Sequence, residues 1–342
     1  MRRYFFNRHE WFLVGVLAAL SIAITWVNPS FLSFENITDL LKSFTVLGIF
    51  SLGMFMVIVS GGFDISFTAI AQAAQYTVVA LLVFRWQSAG YIWVAIVLAV
   101  LFGLILGCLN GVVIHFFKIP PIMVTIATQN LYYGIMYVVT RGDLIHDLPA
   151  YYRNFSYARI IEFHKPDGTP YGLTWVTFLW IVLGIVVALF LKYTRLGRSV
   201  FAVGGNRISA ERIGFNIFLT TLFVYGAMGA IAGFAAIVDV SIAGSVIPNS
   251  IVGKELQIIA AVILGGAAIT GGKGSIQGTF LGVLLFAVLS NSLTLLKIPS
   301  YYYKVFTGLV ILIAVAGNAL QLKRQEGKKV RVQVDQIPSG QA

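Results

Sequence analysis

Apolar residues run through this chain in long blocks with short polar breaks between them. A bilayer's hydrocarbon core takes about 20 apolar residues as a helix. On that ruler the sequence predicts ten spanning helices, over residues 11–27, 43–60, 66–84, 91–116, 122–140, 174–191, 217–238, 255–270, 277–295 and 301–319. The expected fold class is an all-α polytopic membrane protein. The pairs 43–60/66–84 and 255–270/277–295 are parted by only a few glycine-rich residues, so short, broken or re-entrant helices are the alternative there.

Composition supports the membrane reading. The chain is 58% hydrophobic and 11% charged, where a soluble domain is about 25% charged. Glycine recurs every fourth residue at Gly103, Gly107 and Gly111, at Gly274, Gly278 and Gly282, and at Gly229 and Gly233. Small residues at that spacing let helix backbones approach closely in lipid.

The net charge of +11 would suggest nucleic acid in a soluble protein. Here the cations sort by side instead. With the N-terminus in the cytoplasm, fifteen lysines and arginines fall inside and nine outside, as the positive-inside rule requires. Both termini are then expected in the cytoplasm. Residues 1–10 form a basic cytoplasmic segment, 11–320 the transmembrane domain, and 321–342 a basic cytoplasmic tail. The run after residue 10 is read as a span and not a signal peptide, because Asn28-Pro29-Ser30-Phe31 follows it and offers no small-residue cleavage site. Residues 141–173 make the longest outside loop, with mixed charges and a turn at Asp167-Gly168. A lip for an extracytoplasmic partner and a solvated connector fit it equally.

Chemistry is sparse. The single cysteine, Cys108, excludes an internal disulfide, and the four histidines lack metal-ligand spacing. Nothing resembles a nucleophile elbow or a Ser-His pair, so no catalytic residue is expected. Gly265–Ser275 looks like a phosphate-binding loop but fails the pattern at Ala267 and Gly274. If ATP drives this protein, a partner chain binds the ATP and its magnesium, and this chain binds no cofactor.

Polar residues on apolar helices are candidates for a solute path: Gln72, Gln75 and Tyr76, then Gln129, Asn130 and Tyr133, then Asn291. Uncharged amides and hydroxyls suit a neutral hydroxylated solute, and interhelical hydrogen bonding uses the same residue types. Asp64, between two apolar runs, joins the candidates, since an intramembrane carboxylate is costly and often functional. Its other reading is an N-cap for a helix starting near Ile65. Asp239 and Glu255 fall near predicted helix ends. An ion-coupled secondary carrier of a small polar solute is the rival function, and it would call for more buried ionisable groups.

Lys192–Asn216 is the basic interruption between spans. Gly204-Gly205 is expected to break the chain there. Asn206 can then cap a short amphipathic helix closed by Gly214, with Ile208 and Ile213 apolar and Arg207, Glu211 and Arg212 polar. Docking into another protein's groove and resting on anionic lipid both fit.

Four stretches resemble one family, the permease subunits of ATP-binding-cassette importers of the ribose, xylose, galactose and autoinducer-2 type. They are SGGFDIS (Ser60–Ser66), NGVVIHFFKIPPIMVTIAT (Asn110–Thr128), TRLGRSVFAVGGNRISAERIGFNI (Thr194–Ile217) and LGGAAITGGKGSIQGTFLG (Leu264–Gly282). The resemblance implies an inner-membrane subunit without enzyme activity of its own. Its implied partners are a second permease copy or paralogue, a cytoplasmic ATPase pair and a periplasmic sugar-binding protein. It also implies a coupling role for Gly204, Gly205, Asn206, Arg207, Ile208, Ser209, Ala210, Glu211, Arg212, Ile213 and Gly214. Phe67 and Thr68 depart from the family's small or aliphatic pair, which would suit a solute bulkier or differently hydroxylated than ribose.

Overall fold

A computed structural model describes residues 8–85, 91–299 and 301–310, with positions 312 and 316. The basic tail 321–342 and most of the N-terminal segment lie outside the described residues. Seven described helices are long and apolar enough to cross a membrane: α1 (Arg8–Val27), α2 (Phe34–Val59), α4 (Ile92–Phe117), α5 (Pro121–Thr140), α7 (Trp175–Tyr193), α10 (Ile217–Ala243) and α12 (Ile276–Leu295). Residues 301–310 are helical where a tenth span is expected.

Two expected spans are shorter than a bilayer needs. α3 (Phe67–Ala80) runs into a wide π turn at Leu81–Arg85, and α11 covers only Glu255–Leu264. Both have local causes. Gly61 takes φ +79, and residues 62–65 are not helical. Asp64 Oδ1 accepts from the Ser66 amide and hydroxyl at 2.8 and 2.6 Å, a side-chain turn that competes with helix. α11 stops at Gly265, and Gly266, Gly271, Gly272 and Gly274 all take positive φ, a region cheap only for glycine.

α2 and α10 form the core. α2 is buried continuously from Gly48 to Val59, and α10 at most positions from Val224 to Ser241. The four-residue glycine spacing sets the tightest seam. A Cβ on Gly103 would lie 2.1 Å from the Gly229 carbonyl oxygen, and one on Gly233 would lie 2.0 Å from that of Ala99, so the α4 and α10 backbones touch. Gly278 and Gly282 bring α12 equally close to Gly265 and Ala261.

The body has two polar ends at opposite ends of α2. At 26 residues this helix is about 39 Å long. At its N-terminal end sit the short helix α6 (Ala150–Tyr157) and the antiparallel pair β1 (Arg159–His164) and β2 (Pro170–Thr174). The 141–173 loop is thus folded. Gly168 takes φ +81 in its turn. The Thr169 amide donates to Asp167 Oδ1 at 2.9 Å, and this bond holds the Asp167 carboxyl below its ordinary pKa. Lys165 pairs with Glu35 at 2.6 Å, and Phe34 meets Phe163 edge to face. At the other end of α2 lie α8 (Arg195–Gly205) and α9 (Arg207–Arg212). There His9 Nε2 lies 2.8 Å from the Leu264 carbonyl, and Ser275 donates to Glu10.

Candidate translocation pathway and coupling element

Between those ends the chain brings two helix starts together. Phe67, the first residue of α3, packs on Phe50 of α2 at a ring distance of 5.2 Å. Asn110, seven residues from the end of α4, donates to the Ser66 hydroxyl at 2.8 Å. At 1.5 Å per residue that puts the start of α3 about 10 Å inside the body. The non-helical stretch Gly62–Ser66 covers this depth.

α11 starts at a similar depth, heading the other way. Its first residue, Glu255, is 6% exposed. Glu255 Oε1 accepts from the Thr68 hydroxyl, from Gln129 Nε2 at 2.8 Å and from the Gly253 amide at 3.0 Å. Both short helices therefore turn their positive dipole ends toward one carboxylate. Discontinuous helices meeting inside the membrane are a recurrent way to build a transport site. Glu255 stands at a helix end, as its sequence position predicts, and that end lies inside the body. Its signal was present: an acidic residue directly after Gly253-Lys254 and directly before an apolar run.

The expected pathway residues fall into separate groups. Gln72 and Gln75 are buried and joined at 2.7 Å. Gln72 also bonds the Ile247 carbonyl at 2.8 Å and the Ile251 amide at 3.2 Å, and Gln75 reaches Asp239 at 3.1 Å. These amides bind the 246–251 segment to the bundle. Tyr76, on the same helix, is half-buried. On α5, Gln129 belongs to the Glu255 group, and Asn130 is exposed and bonds its own helix at Ile126. Tyr133 lies against Tyr137 at 4.8 Å. Asn291 is elsewhere, on the α2–α12 seam, where it and Asn36 exchange amide bonds at 2.9 and 3.0 Å.

Asp64 is fully buried, and only one of its oxygens is bonded. It does not cap a helix at Ile65, because α3 starts two residues later, after Ser66. The carboxylate instead orders the non-helical stretch, and Ser66 passes the connection on to Asn110.

The basic interruption also departs from expectation in one respect. Gly204 and Gly205 do not break the chain; they are the last residues of α8. Thr194 caps α8 by accepting from the Gly197 amide at 2.9 Å. The bend comes at Asn206, whose Oδ1 accepts from the Ser209 amide at 2.9 Å and so caps α9. Gly214, at φ +92, closes it. Within α9, Ala210 faces the body and is buried, while Ile208 and, just past the helix, Ile213 are 64% and 73% exposed. Arg207, Ser209, Glu211 and Arg212 are exposed as well.

Gly204 is where this element meets the body. A Cβ there would lie 1.8 Å from the Val59 carbonyl oxygen and 2.8 Å from the Gly272 nitrogen. The Gly272 amide donates to that same Val59 oxygen at 2.8 Å. Gly271 in turn packs against Gly61 and Gly204. Three stretches singled out in the sequence, at 60–66, 194–217 and 264–282, thus meet at one junction. The loop that mimics a phosphate-binding motif uses its glycines for this contact.

Known proteins are similar to this chain over most of its length. Residues 36–315 match the family model described as branched-chain amino acid transport system / permease component. The ribose import permease protein of Haemophilus influenzae is 31% identical over 331 residues, covering 94% of this chain and 96% of that protein. The Bacillus subtilis ribose import permease protein is 33% identical over 299 residues, 87% of this chain and 89% of its own. The autoinducer 2 import system permease protein of Shigella flexneri is 31% identical over 303 residues, 87% and 84%. No solved structure matches the chain. A bundle of membrane-length helices around two shorter ones, matched to this family over most of its length, is a multi-pass membrane protein that belongs to this family of transport-system permease components.

Proposed function

We propose that this chain is the membrane-spanning subunit of an ATP-binding-cassette importer for a monosaccharide or a related polyol. Likeness to ribose and autoinducer 2 import permeases over most of the chain supports the solute class. A cytoplasmic ATPase binds ATP and magnesium and hydrolyses the ATP. A periplasmic binding protein delivers the solute, and a second permease copy or paralogue completes the path. The setting is a bacterial inner membrane, with both termini and α9 in the cytoplasm.

The observation that carries the coupling part is the outward set of α9. Ile208 and Ile213 are exposed on a capped helix, and that helix is joined through Gly204 to the glycine junction. Two bare isoleucines beside three charged residues suit a groove in a partner protein. Motion of the docked helix reaches α2 and the 264–282 segment through Gly204, and both lead to the half-helix meeting point. Gln129 of α5 stands at that point, and Asn130 and Tyr133 of the same helix are proposed as further contacts for a hydroxylated solute, with Gln72, Gln75, Tyr76 and Asp64 on the neighbouring segment.

The test pairs a cross-link with an energy requirement. A cysteine at Ile208, with Cys108 replaced by serine, should cross-link to the ATPase in the assembled complex. Labelled sugar uptake should stop on ATP depletion. Uptake that survives ATP depletion but collapses with an uncoupler would overturn the proposal in favour of an ion-coupled carrier.

A further inference from the structure

Near the α8 end of the bundle, α7 and α12 enclose a space that the transport reading does not use. Phe280 stacks on Trp180 at a ring distance of 4.8 Å, and Gly184 sits against the same Phe280 ring. From that level toward Lys192 lies a cavity of about 840 Å³. Phe55 and Phe201, in contact with each other at 6.4 Å, form its floor. Ala188 lies on its α7 wall, with Ile185 and Leu189, which are 54% and 51% exposed. The cavity is therefore open to the side, where lipid lies.

Its polarity is graded. Next to the aromatic stack the lining is apolar. At the far end Lys192 and Arg198 stand at the mouth, both exposed. Among the described residues neither has a carboxylate at ion-pair distance; Lys192 lies over the Tyr193 ring at 5.0 Å. Ser275, also on the lining, donates to Glu10, so that carboxylate is engaged within the body. Lys192 lies eleven helical steps beyond Ile181, which is about 17 Å of helix and about half of a 30 Å hydrocarbon core.

We propose that this cavity holds one anionic phospholipid of the leaflet at the α8 end, with an acyl chain against Ala188 and Phe280 and its phosphate between Lys192 and Arg198. Apolar depth of one leaflet fits a chain that ends at mid-membrane. A spanning helix from a partner would have to continue past the Trp180–Phe280 stack. Two cations at the interface end match a phosphate that carries net negative charge, because basic pockets between helices at a membrane surface recognise anionic headgroups. Only the identity of the leaflet as cytoplasmic rests on the orientation proposed above.

The test is native mass spectrometry of the full chain, purified in detergent and mixed with equal amounts of dioleoyl phosphatidylglycerol and dioleoyl phosphatidylcholine. The expected result is one retained phosphatidylglycerol, favoured over phosphatidylcholine by about thirtyfold, the scale of two cations at about 1 kcal/mol each acting on one anionic headgroup. K192Q/R198Q should abolish the preference while leaving weak retention of both lipids. A188F should lose retention of both. If A188F elutes aggregated, K192Q/R198Q still decides, since both positions are exposed. Equal retention of the two lipids, an unchanged preference in K192Q/R198Q, or a cross-link from I185C to a partner subunit in the assembled complex would each overturn the proposal. Orientation is read separately: Y193C in a C108S chain should resist a membrane-impermeant thiol reagent applied from outside. Labelling there would refute the cytoplasmic placement and leave the lipid result standing.

Discussion

The hydroxyl of Thr68 donates to the carboxylate of Glu255, tying the start of α3 to the start of α11. Because Gln129 and the Gly253 amide reach the same oxygen, one buried group orders three elements. Removing it unpairs three donors; the fully buried Thr68 hydroxyl is left unsatisfied at a cost of about 1–3 kcal/mol, whereas Gln129 is half-buried and Gly253 exposed. Glu255→Ala should therefore lower the melting temperature in detergent and cut sugar uptake by more than about tenfold. Thr68→Val removes one donor of three and should have a smaller effect on both. Equal effects of the two changes would mean that the carboxylate does not organise the junction.

Gly204 and Gly205 are adjacent at the end of one helix, yet they should respond differently to the same change. A methyl group on Gly204 meets the Val59 carbonyl oxygen, and one on Gly205 meets nothing within 4 Å. Overpacking against backbone costs about 1–3 kcal/mol. Gly204→Ala should destabilise the chain and depress transport in the assembled complex; Gly205→Ala should leave both near wild type. Thermal unfolding beside an uptake assay checks this, and matching behaviour of the pair would remove Gly204 from the coupling route.

Part of this architecture was legible in the residues themselves. Long apolar runs gave the spanning helices because a bilayer demands length and apolarity, and both can be counted. The four-residue glycine spacing at Gly103–Gly107 and Gly229–Gly233 correctly announced a close seam. Asn206 and Gly214 marked α9 because caps are local chemistry. The glycine-rich breaks after Val59 and after Leu264 offered short or broken helices at the right two places. What the spacing of Asp64 and Glu255 does not give is how deep in the body those helices begin. Pairing across the bundle was equally hidden. Asn291 and Asn36 are 255 positions apart, and Gln72 finds its partners in the 247–251 backbone. Helix α8 was missed because two adjacent glycines read as a break; here they end the helix and fit under Val59.

Ile208 and Ile213 touch water, so changing them should spare the fold. Ile208→Asp with Ile213→Asp should leave the stability of the isolated chain within about 0.5 kcal/mol of wild type, as for exposed positions generally. The same change should abolish copurification of the ATPase and stimulation of its activity. Ala210, buried in the middle of α9, supplies the contrast. Ala210→Trp should destabilise the chain itself. Retained ATPase binding in the double aspartate variant would place the docking surface elsewhere.

Asn291 separates a structural amide from a solute contact. Its side chain and that of Asn36 satisfy each other, and Asn36 also donates to the Phe31 carbonyl at 2.8 Å. Asn291→Ala should therefore cost about 1 kcal/mol, the net worth of an ordinary hydrogen bond. The N36A/N291A double variant should be less destabilised than the sum of the two singles, because the second change removes a partner already lost. Uptake KM should not move in any of the three, since the pair sits on the α2–α12 seam and away from the Glu255 meeting point. A tenfold rise in KM with unchanged stability in Asn291→Ala would instead put this amide in contact with the solute and draw the path toward α12.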